Sequence, residues 1–182
     1  MPFRIPSSRI NWTNSSFLIG TAIVTCTGVP LYLWHYGVDA FQLSMFFAFV
    51  IATGLSITLG YHRLFAHMSF QALWPVRLVT LIFGAAAFEN TALAWVSDHR
   101  RHHKHVDHDD DPYDISKGFW HAHIGWILFK LDPEPPLDNV ADLRKDALVM
   151  WQDRFYLPLA IGVGFLLPAA LGYLHSGWIV AL

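Results

Sequence analysis

Four long apolar runs constrain this chain more than any other feature of its sequence. They cover residues 17–34, 41–61, 78–96 and 155–174, and each is close to the roughly 20 residues that an α-helix needs to cross a bilayer. Hydrophobic residues make up 54% of the chain and charged residues only 14%, whereas a soluble domain carries about 25% charged residues. The sequence therefore predicts an all-α, multi-pass membrane protein.

The basic residues predict which helix ends face the cytoplasm. Of the 12 Lys and Arg residues, two precede the first run and the other ten lie between Arg63 and Arg154, while the link 35–40 has none. Cytoplasmic loops are enriched in Lys and Arg, so we expect the N-terminus and the region after Arg63 on the cytoplasmic side. The net charge of −2 offers no basic field for nucleic acid, and the single cysteine excludes an internal disulfide.

The run 78–96 differs from the other three because it contains Glu89 and Asn90. Both side chains are costly in hydrocarbon unless protein surrounds them. A full crossing here would also separate the histidines before the run from those after it, on opposite sides of the bilayer. We therefore expect a re-entrant or interfacial helix, with a true crossing as the alternative. The predicted spans are then 17–34, 41–61 and 155–174.

The histidines form the second unusual feature, since nine of the 11 lie between His62 and His123. Three of them, His99, His102 and His103, have the i, i+3, i+4 spacing that places side chains on one face of an α-helix. Neutral imidazole is a common ligand for zinc, copper, iron and nickel. The spacing therefore predicts a metal site in a cytoplasmic helical cap, next to a membrane exit.

The pair His62 and His67 is a weaker pattern, because residues five apart on a straight α-helix differ by about 140° in direction. They converge only if the helix ends or bends there, and a pair of interfacial histidines is the alternative. The cations at 100, 101 and 104 are typical of a headgroup-binding patch, which does not explain the histidine spacing. The acidic run 107–111 lacks the glycine and distal glutamate of a calcium loop, so we expect it to be solvated.

Three motifs, in this order, resemble the membrane fatty acid desaturases, and most closely their acyl-CoA (stearoyl-CoA-like) delta-9 branch. HRLFAH has the H-x4-H form of the first histidine box, WVSDHRRHHKH the H-x2-H-H form of the second, and DPYDISKGFWHAHIGW the form of a later stretch. The resemblance covers residues 16–174. It implies an oxidoreductase in which a histidine-ligated di-iron centre and dioxygen put a cis double bond into a long-chain acyl thioester.

By position, the resemblance implies five iron ligands and three residues near the substrate. The ligands are His62, His67, His99, His102 and His103, and the substrate-binding residues are Asn90, Trp95 and Asp98. The resemblance also implies a long-chain acyl-CoA or another acyl carrier as substrate, and a ferredoxin- or cytochrome-type electron donor. Ser97 stands where the family carries a basic residue, which leaves the carrier open.

The length of the chain does not match this resemblance, because the family has a third histidine box. Two iron ions need roughly eight to ten donor atoms, at about five per ion, and five histidines do not supply them. We therefore expect residues 1–182 to be the N-terminal part of a single desaturase domain, truncated and inactive alone. Two alternatives remain: a non-enzymatic membrane protein that binds metal or lipid, and a membrane hydroxylase acting on lipid or alkane.

Overall fold

A computed structural model describes residues 7–130 and 136–177, and within these ranges the protein is helical without a β-strand. The α-helices are α1 Trp12–Tyr36, α2 Ala40–Leu55, α3 Trp74–Ala86, α4 Ala92–His105, α5 Trp126–Leu128, α6 Ala147–Arg154, α7 Tyr156–Ile161 and α8 Leu167–Ser176. Wider π-helical segments lie at Ser56–Ala66, His121–Gly125 and Gly162–Leu166, and short 3-10 helices at Ser7–Arg9, Ile115–Lys117 and Leu143–Lys145. The all-α prediction is confirmed.

Three continuous helical stretches are long and apolar enough to cross a membrane. They are Trp12–Tyr36 with 25 residues, Ala40–Ala66 with 27 and Tyr156–Ser176 with 21, and they overlap the three spans expected from the sequence. Their apolar side chains are largely exposed at the protein surface, as with Val24 at 66% and Phe46 at 60%. Such a surface is suited to lipid rather than water, and the chain is an integral membrane protein.

The run 78–96 is divided between two helices rather than forming one. Helix α3 ends at Ala86 and α4 begins at Ala92, and between them Phe88 and Asn90 adopt positive φ angles of 59° and 78°. A left-handed residue cannot continue a right-handed helix, so the chain turns here. Helix α3 has only 13 residues, too few to span a bilayer alone. The re-entrant or interfacial placement of this region stays a prediction.

The described chain forms two compact units, and the division falls inside α4, between residues 100 and 101. The larger unit contains residues 39–100 and 137–177. Its core consists of fully buried side chains from four helical segments and a loop, namely Tyr61, Leu81, Val96, Val149 and, in the loop, Val140. Helix α3 packs closely on the π-helical segment Ser56–Ala66, because glycines stand at the contacts.

These glycine contacts leave no room for a side chain. A Cβ added at Gly60 would lie 2.7 Å from the Cβ of Thr80, and one added at Gly84 would enter the ring of Tyr61. The two glycines therefore let the backbones of α3 and the π-helical segment approach each other. This packing holds the position from which the histidines of the segment project.

The smaller unit contains residues 7–38, 101–130 and 136 among those described. Asn11 caps α1, its side chain accepting a hydrogen bond from the amide of Asn14 at 3.2 Å. The side chains of Asn14 and Ser15 donate to the carbonyls of Ile127 and Leu128, each at 3.2 Å. The start of α1 is thereby bonded to α5.

Candidate metal centre

His62 and His67 lie in and just after the π-helical segment Ser56–Ala66, which continues α2. In a π-helix each amide bonds to the carbonyl five residues earlier, and the amide of His67 donates to the carbonyl of His62 at 2.9 Å. This wider turn brings residues five apart over one another. As a result, the two Nε2 atoms are 3.1 Å apart. We expected His62 and His67 to converge only if the helix ends or bends between them. They converge because the helix changes from α to π type.

His99 approaches the same point from α4. Its Nε2 atom is 3.0 Å from the Nε2 atom of His67, and its ring centroid is 4.6 Å from that of His62 with the two planes at 74°. Each of the three residues offers a ring nitrogen within 4.8 Å of the other two. Two segments separated by 32 residues in sequence thus direct three imidazoles to one position.

Hydrogen bonding alone does not account for this convergence. The Nε2 atom of a neutral imidazole carries either one proton or one lone pair, so it makes one strong hydrogen bond. The Nε2 atom of His67 nevertheless lies at hydrogen-bond distance from two other Nε2 atoms. Three imidazole nitrogens within 4.8 Å of one another fit a transition-metal ion, for which imidazole is a preferred ligand. The residues present therefore fit a metal centre.

The other two predicted ligands occupy the last turns of α4. His103 follows His99 by one helical turn, so its side chain leaves α4 on the same face. His102 has a different partner, because its Nδ1 atom is 3.0 and 2.9 Å from the two carboxylate oxygens of Asp111. The structure thus brings His62, His67 and His99 into direct contact and holds His102 by a carboxylate.

Aromatic packing supports the imidazole of His99. Trp95 stacks on it with ring centroids 4.8 Å apart and planes at 22°, and Tyr61 packs against Trp95 at 5.9 Å. The Tyr61 hydroxyl accepts a hydrogen bond from the Gln152 side chain at 2.7 Å, and the side-chain oxygen of Gln152 accepts one from the first backbone amide of α4 at 3.1 Å. Tyr61 and Gln152 are both fully buried and together position α4 relative to the π-helical segment. Sequence reasoning did not identify this pair.

Arg100 ties the two histidine-bearing segments to a third. Its guanidinium donates to the carbonyls of Phe65 and Ala66 at 3.0 and 3.2 Å, to the carbonyl of Asn139 at 2.9 Å, and to both carboxylate oxygens of Asp142. These hydrogen bonds hold the pKa of Asp142 below its usual range. Because its donors are taken up within the protein, Arg100 does not belong to a headgroup-binding patch, and that alternative is wrong for this residue.

The predicted substrate residues have three different settings. Trp95 is half-buried in the stack on His99, and Asp98 is half-buried on α4 immediately before His99. Asn90 is exposed in the turn before α4, where its backbone N–H donates to the hydroxyl of Tyr156 at 3.1 Å. Ser97 is buried, and its hydroxyl donates to the Asn139 side chain at 2.7 Å. A structural contact thus occupies the position for which the resemblance implies a basic residue.

The acidic run 107–111 corrects one expectation. Its middle members are exposed, but Asp111 is only 2% exposed and is fully engaged in hydrogen bonds. The expectation that the whole run is solvated is therefore wrong at Asp111. Asp111 differs from the other three aspartates in opening the motif DPYDISKGFWHAHIGW, but that position did not indicate burial, which follows from the fold of the loop.

No family model matches the chain, whereas curated proteins are similar to nearly all of it. A probable acyl-CoA desaturase of Schizosaccharomyces pombe is 35% identical over 93% of this chain and 37% of its own length. Acyl-CoA desaturase 1 of Saccharomyces cerevisiae is 34% identical over 96% of the chain and 34% of its own length. An acyl-CoA delta-9 desaturase of Acheta domesticus is 38% identical over 65% of the chain. The chain spans about a third of the length of these relatives.

Proposed function

Because this chain belongs to the acyl-CoA desaturase family, we propose that it supplies part of the active site of a membrane desaturase. The reaction puts a cis double bond into a long-chain acyl-CoA or another acyl thioester, with dioxygen as co-substrate. Electrons come from a ferredoxin- or cytochrome-type donor. The proposed ligands of two iron ions are His62, His67, His99, His102 and His103.

The observation that supports this proposal best is the convergence of the Nε2 atoms of His62, His67 and His99 within hydrogen-bond distance. Mid-chain methylenes carry unactivated C–H bonds, and histidine-bound iron with dioxygen supplies the oxidising power to break them. The protein's own task is to hold the ligands, to position the acyl chain and to keep water away. The stack of Trp95 on His99 provides an apolar surface at that place.

The proposal also assigns a sidedness. The basic residues after Arg63 and around α4 favour a cytoplasmic location of the histidines, where acyl-CoA and a soluble electron donor are accessible. Asn90 lies just before α4 and Asp98 lies in the middle of it, and both carry polar groups that could bind the carrier of the acyl chain. Five imidazoles are fewer donors than two iron ions need, so we expect turnover to require further ligands.

Metal binding tests the first half of the proposal. The purified chain in detergent is loaded with ferrous iron, and bound iron is measured by mass spectrometry for the wild type, His99→Ala and His108→Ala. His108 is exposed on the loop after α4, so its variant is the matched control. We expect iron in the wild type and the control and little in His99→Ala. Equal iron in all three would contradict the proposed ligands.

A chimera tests the chemistry. The present residues replace the matching stretch of the Saccharomyces cerevisiae acyl-CoA desaturase 1, and membranes carrying the chimera receive a saturated long-chain acyl-CoA, a reductant and dioxygen. We expect a cis-monounsaturated product by gas chromatography, its loss in His99→Ala and its retention in His108→Ala. A hydroxylated product would favour the hydroxylase alternative, and iron binding without any product would favour the non-enzymatic one.

A further inference from the structure

We propose that Asp111 is a positioning residue for the metal centre, which fixes the imidazole of His102 so that its Nε2 atom alone is presented to a metal ion. The inference rests on the proposed function, because it takes His102 as a ligand. It adds a residue outside the two histidine boxes, which opens the later stretch DPYDISKGFWHAHIGW and lies nine positions after His102.

The carboxylate of Asp111 is held on all sides. Its Oδ2 atom accepts a hydrogen bond from the amide of Asp107 at 3.0 Å, and its Oδ1 atom accepts one from the amide of Tyr113 at 3.1 Å. The Nδ1 atom of His102 lies at 3.0 and 2.9 Å from the same two oxygens. A carboxylate this deeply buried is costly unless hydrogen bonds compensate its charge, and these three donors do so.

This geometry determines the tautomer of His102. An ionised carboxylate only accepts hydrogen bonds, so Nδ1 of His102 must carry the proton that it donates. A neutral ring with its proton on Nδ1 has its lone pair on Nε2. Metal-ligating histidines commonly donate their second ring nitrogen to a carboxylate in this way, which fixes ring orientation and raises ligand basicity.

The plane of the ring is fixed as well. Tyr113 lies against His102 with ring centroids 4.3 Å apart and planes at 31°, and Trp126 lies behind Tyr113 at 5.0 Å. The tyrosine follows Asp111 by two residues, so one short loop supplies both the hydrogen-bond acceptor and the packing surface. The tautomer and the orientation of the imidazole are thus held by the same segment.

The loop reaches His102 through a sharp reversal after α4. Asp107 adopts a positive φ of 58°, a conformation that aspartate tolerates better than most residues. Amides of His108 and Asp111 bond back to the carbonyls of His105 and His108, each at 2.9 Å. These turns carry the chain back over the end of α4 and bury its last aspartate.

The tautomer can be read in the metal-free protein, independently of iron. In ¹⁵N-histidine-labelled protein in bilayers, the ring resonances of His102 are assigned by their loss in His102→Gln. We expect the proton on Nδ1 in the wild type and in the matched control Asp109→Asn, whose side chain is exposed. In Asp111→Asn the new amide group donates as well as accepts, so we expect the proton to be shared with Nε2. A wild-type proton on Nε2 overturns the inference.

Iron affinity provides the second readout. Loss of such an outer hydrogen bond typically costs about 10–100-fold in metal affinity, so we expect that loss in Asp111→Asn and none in Asp109→Asn, with both variants shown to be folded by their thermal melting. Unchanged affinity in Asp111→Asn overturns the inference while leaving the proposed function intact. A wild type that binds no iron overturns the proposed function instead. If Asp111→Asn does not fold, the wild-type tautomer still decides.

Discussion

The guanidinium of Arg100 holds the carboxylate of Asp142 by two parallel hydrogen bonds, at 2.8 and 2.9 Å. This two-pronged geometry is the strongest arrangement for an arginine–carboxylate pair. The same guanidinium also bonds to the carbonyls of Phe65 and Ala66, immediately before His67. The pair therefore fixes the end of the π-helical segment relative to α4, on which His99 lies one position before Arg100.

Removal of this charge pair should weaken the protein in a pH-dependent way. Asp142 is 43% exposed, so we expect Asp142→Asn to lower the free energy of unfolding by about 1 kcal/mol at neutral pH, less than a shielded charged hydrogen bond contributes. The hydrogen bonds from Arg100 lower the pKa of Asp142 below its usual value of 3.8. The charge pair therefore makes its full contribution to stability above pH 3.8, and that contribution is lost as the pH falls through the lowered pKa. Thermal unfolding in detergent micelles at several pH values measures the difference.

The exposed Asp109 provides the control for this experiment, since Asp109→Asn removes an equal charge without a bonded guanidinium. Its stability should equal that of the wild type across the same pH range. A difference between wild type and Asp142→Asn that persists unchanged in acid would show that the carboxylate charge is not the cause.

A methyl group at Gly84 should be costly. The added Cβ enters the ring of Tyr61, which is fully buried and bonded to Gln152 and so has no free space to move into. We expect Gly84→Ala to lower the free energy of unfolding by about 1–3 kcal/mol, the usual range for overpacking. Gly162→Ala, where a Cβ has nothing within 4 Å, should be neutral or slightly stabilising, and equal losses in both would exclude a steric cause. Thermal unfolding measures both variants.

The Tyr61 hydroxyl should contribute through its hydrogen bond rather than through its size. Tyr61→Phe leaves the buried amide group of Gln152 without its acceptor, a loss of about 1–3 kcal/mol. Tyr36→Phe on α1, where the side chain is 62% exposed, is the matched control and should change little. In a double-mutant cycle, Tyr61→Phe should cost less in a Gln152→Leu background than in the wild type, because the side-chain amide that loses its acceptor is then absent. An equal loss in both backgrounds, measured by chemical denaturation, would argue against the bond.

His175, near the end of α8, contacts Asp39, the N-cap of α2, with their Nε2 and Oδ2 atoms 3.0 Å apart. This contact joins the ends of two predicted spans. The pKa of Asp39 is held below its usual range mainly by the hydrogen bond from the backbone amide of Gln42, and to a lesser extent by His175. Asp39→Asn keeps a good helix cap but removes the charge. We expect it to melt at a lower temperature than the wild type at neutral pH. The gap should close as pH falls through the lowered pKa of Asp39, and a gap that widens in acid would contradict the assignment.

Hydropathy and residue spacing predicted much of this protein because both are local properties. The three long apolar helices follow from composition over about 20 residues, and the common face of His99 and His103 follows from the helical repeat. Those features require no knowledge of which distant segments meet. The division of 78–96 into two helices was missed because the polarity of Glu89 and Asn90 indicated an unusual placement in the membrane, but not the left-handed turn that Phe88 and Asn90 form.

The residues that hold the site in place were missed for a related reason. Tyr61 and Gln152 are 91 positions apart, and Arg100 and Asp142 are 42 apart, so no motif contains both members of either pair. Asp111 is closer to His102, but its place at the start of the stretch DPYDISKGFWHAHIGW did not indicate that it is buried against an imidazole. Contacts of this kind follow from packing, which only coordinates reveal.

The wide turn between His62 and His67 also determines which changes in length the site can tolerate. Deleting one residue between them would give a four-residue separation, which an ordinary α-helix places on one face. Inserting one residue would give a separation of six, which neither an i+4 nor an i+5 turn brings into register. As far as the direction of the two imidazoles is concerned, the first histidine box can therefore be shortened by one residue but not lengthened by one.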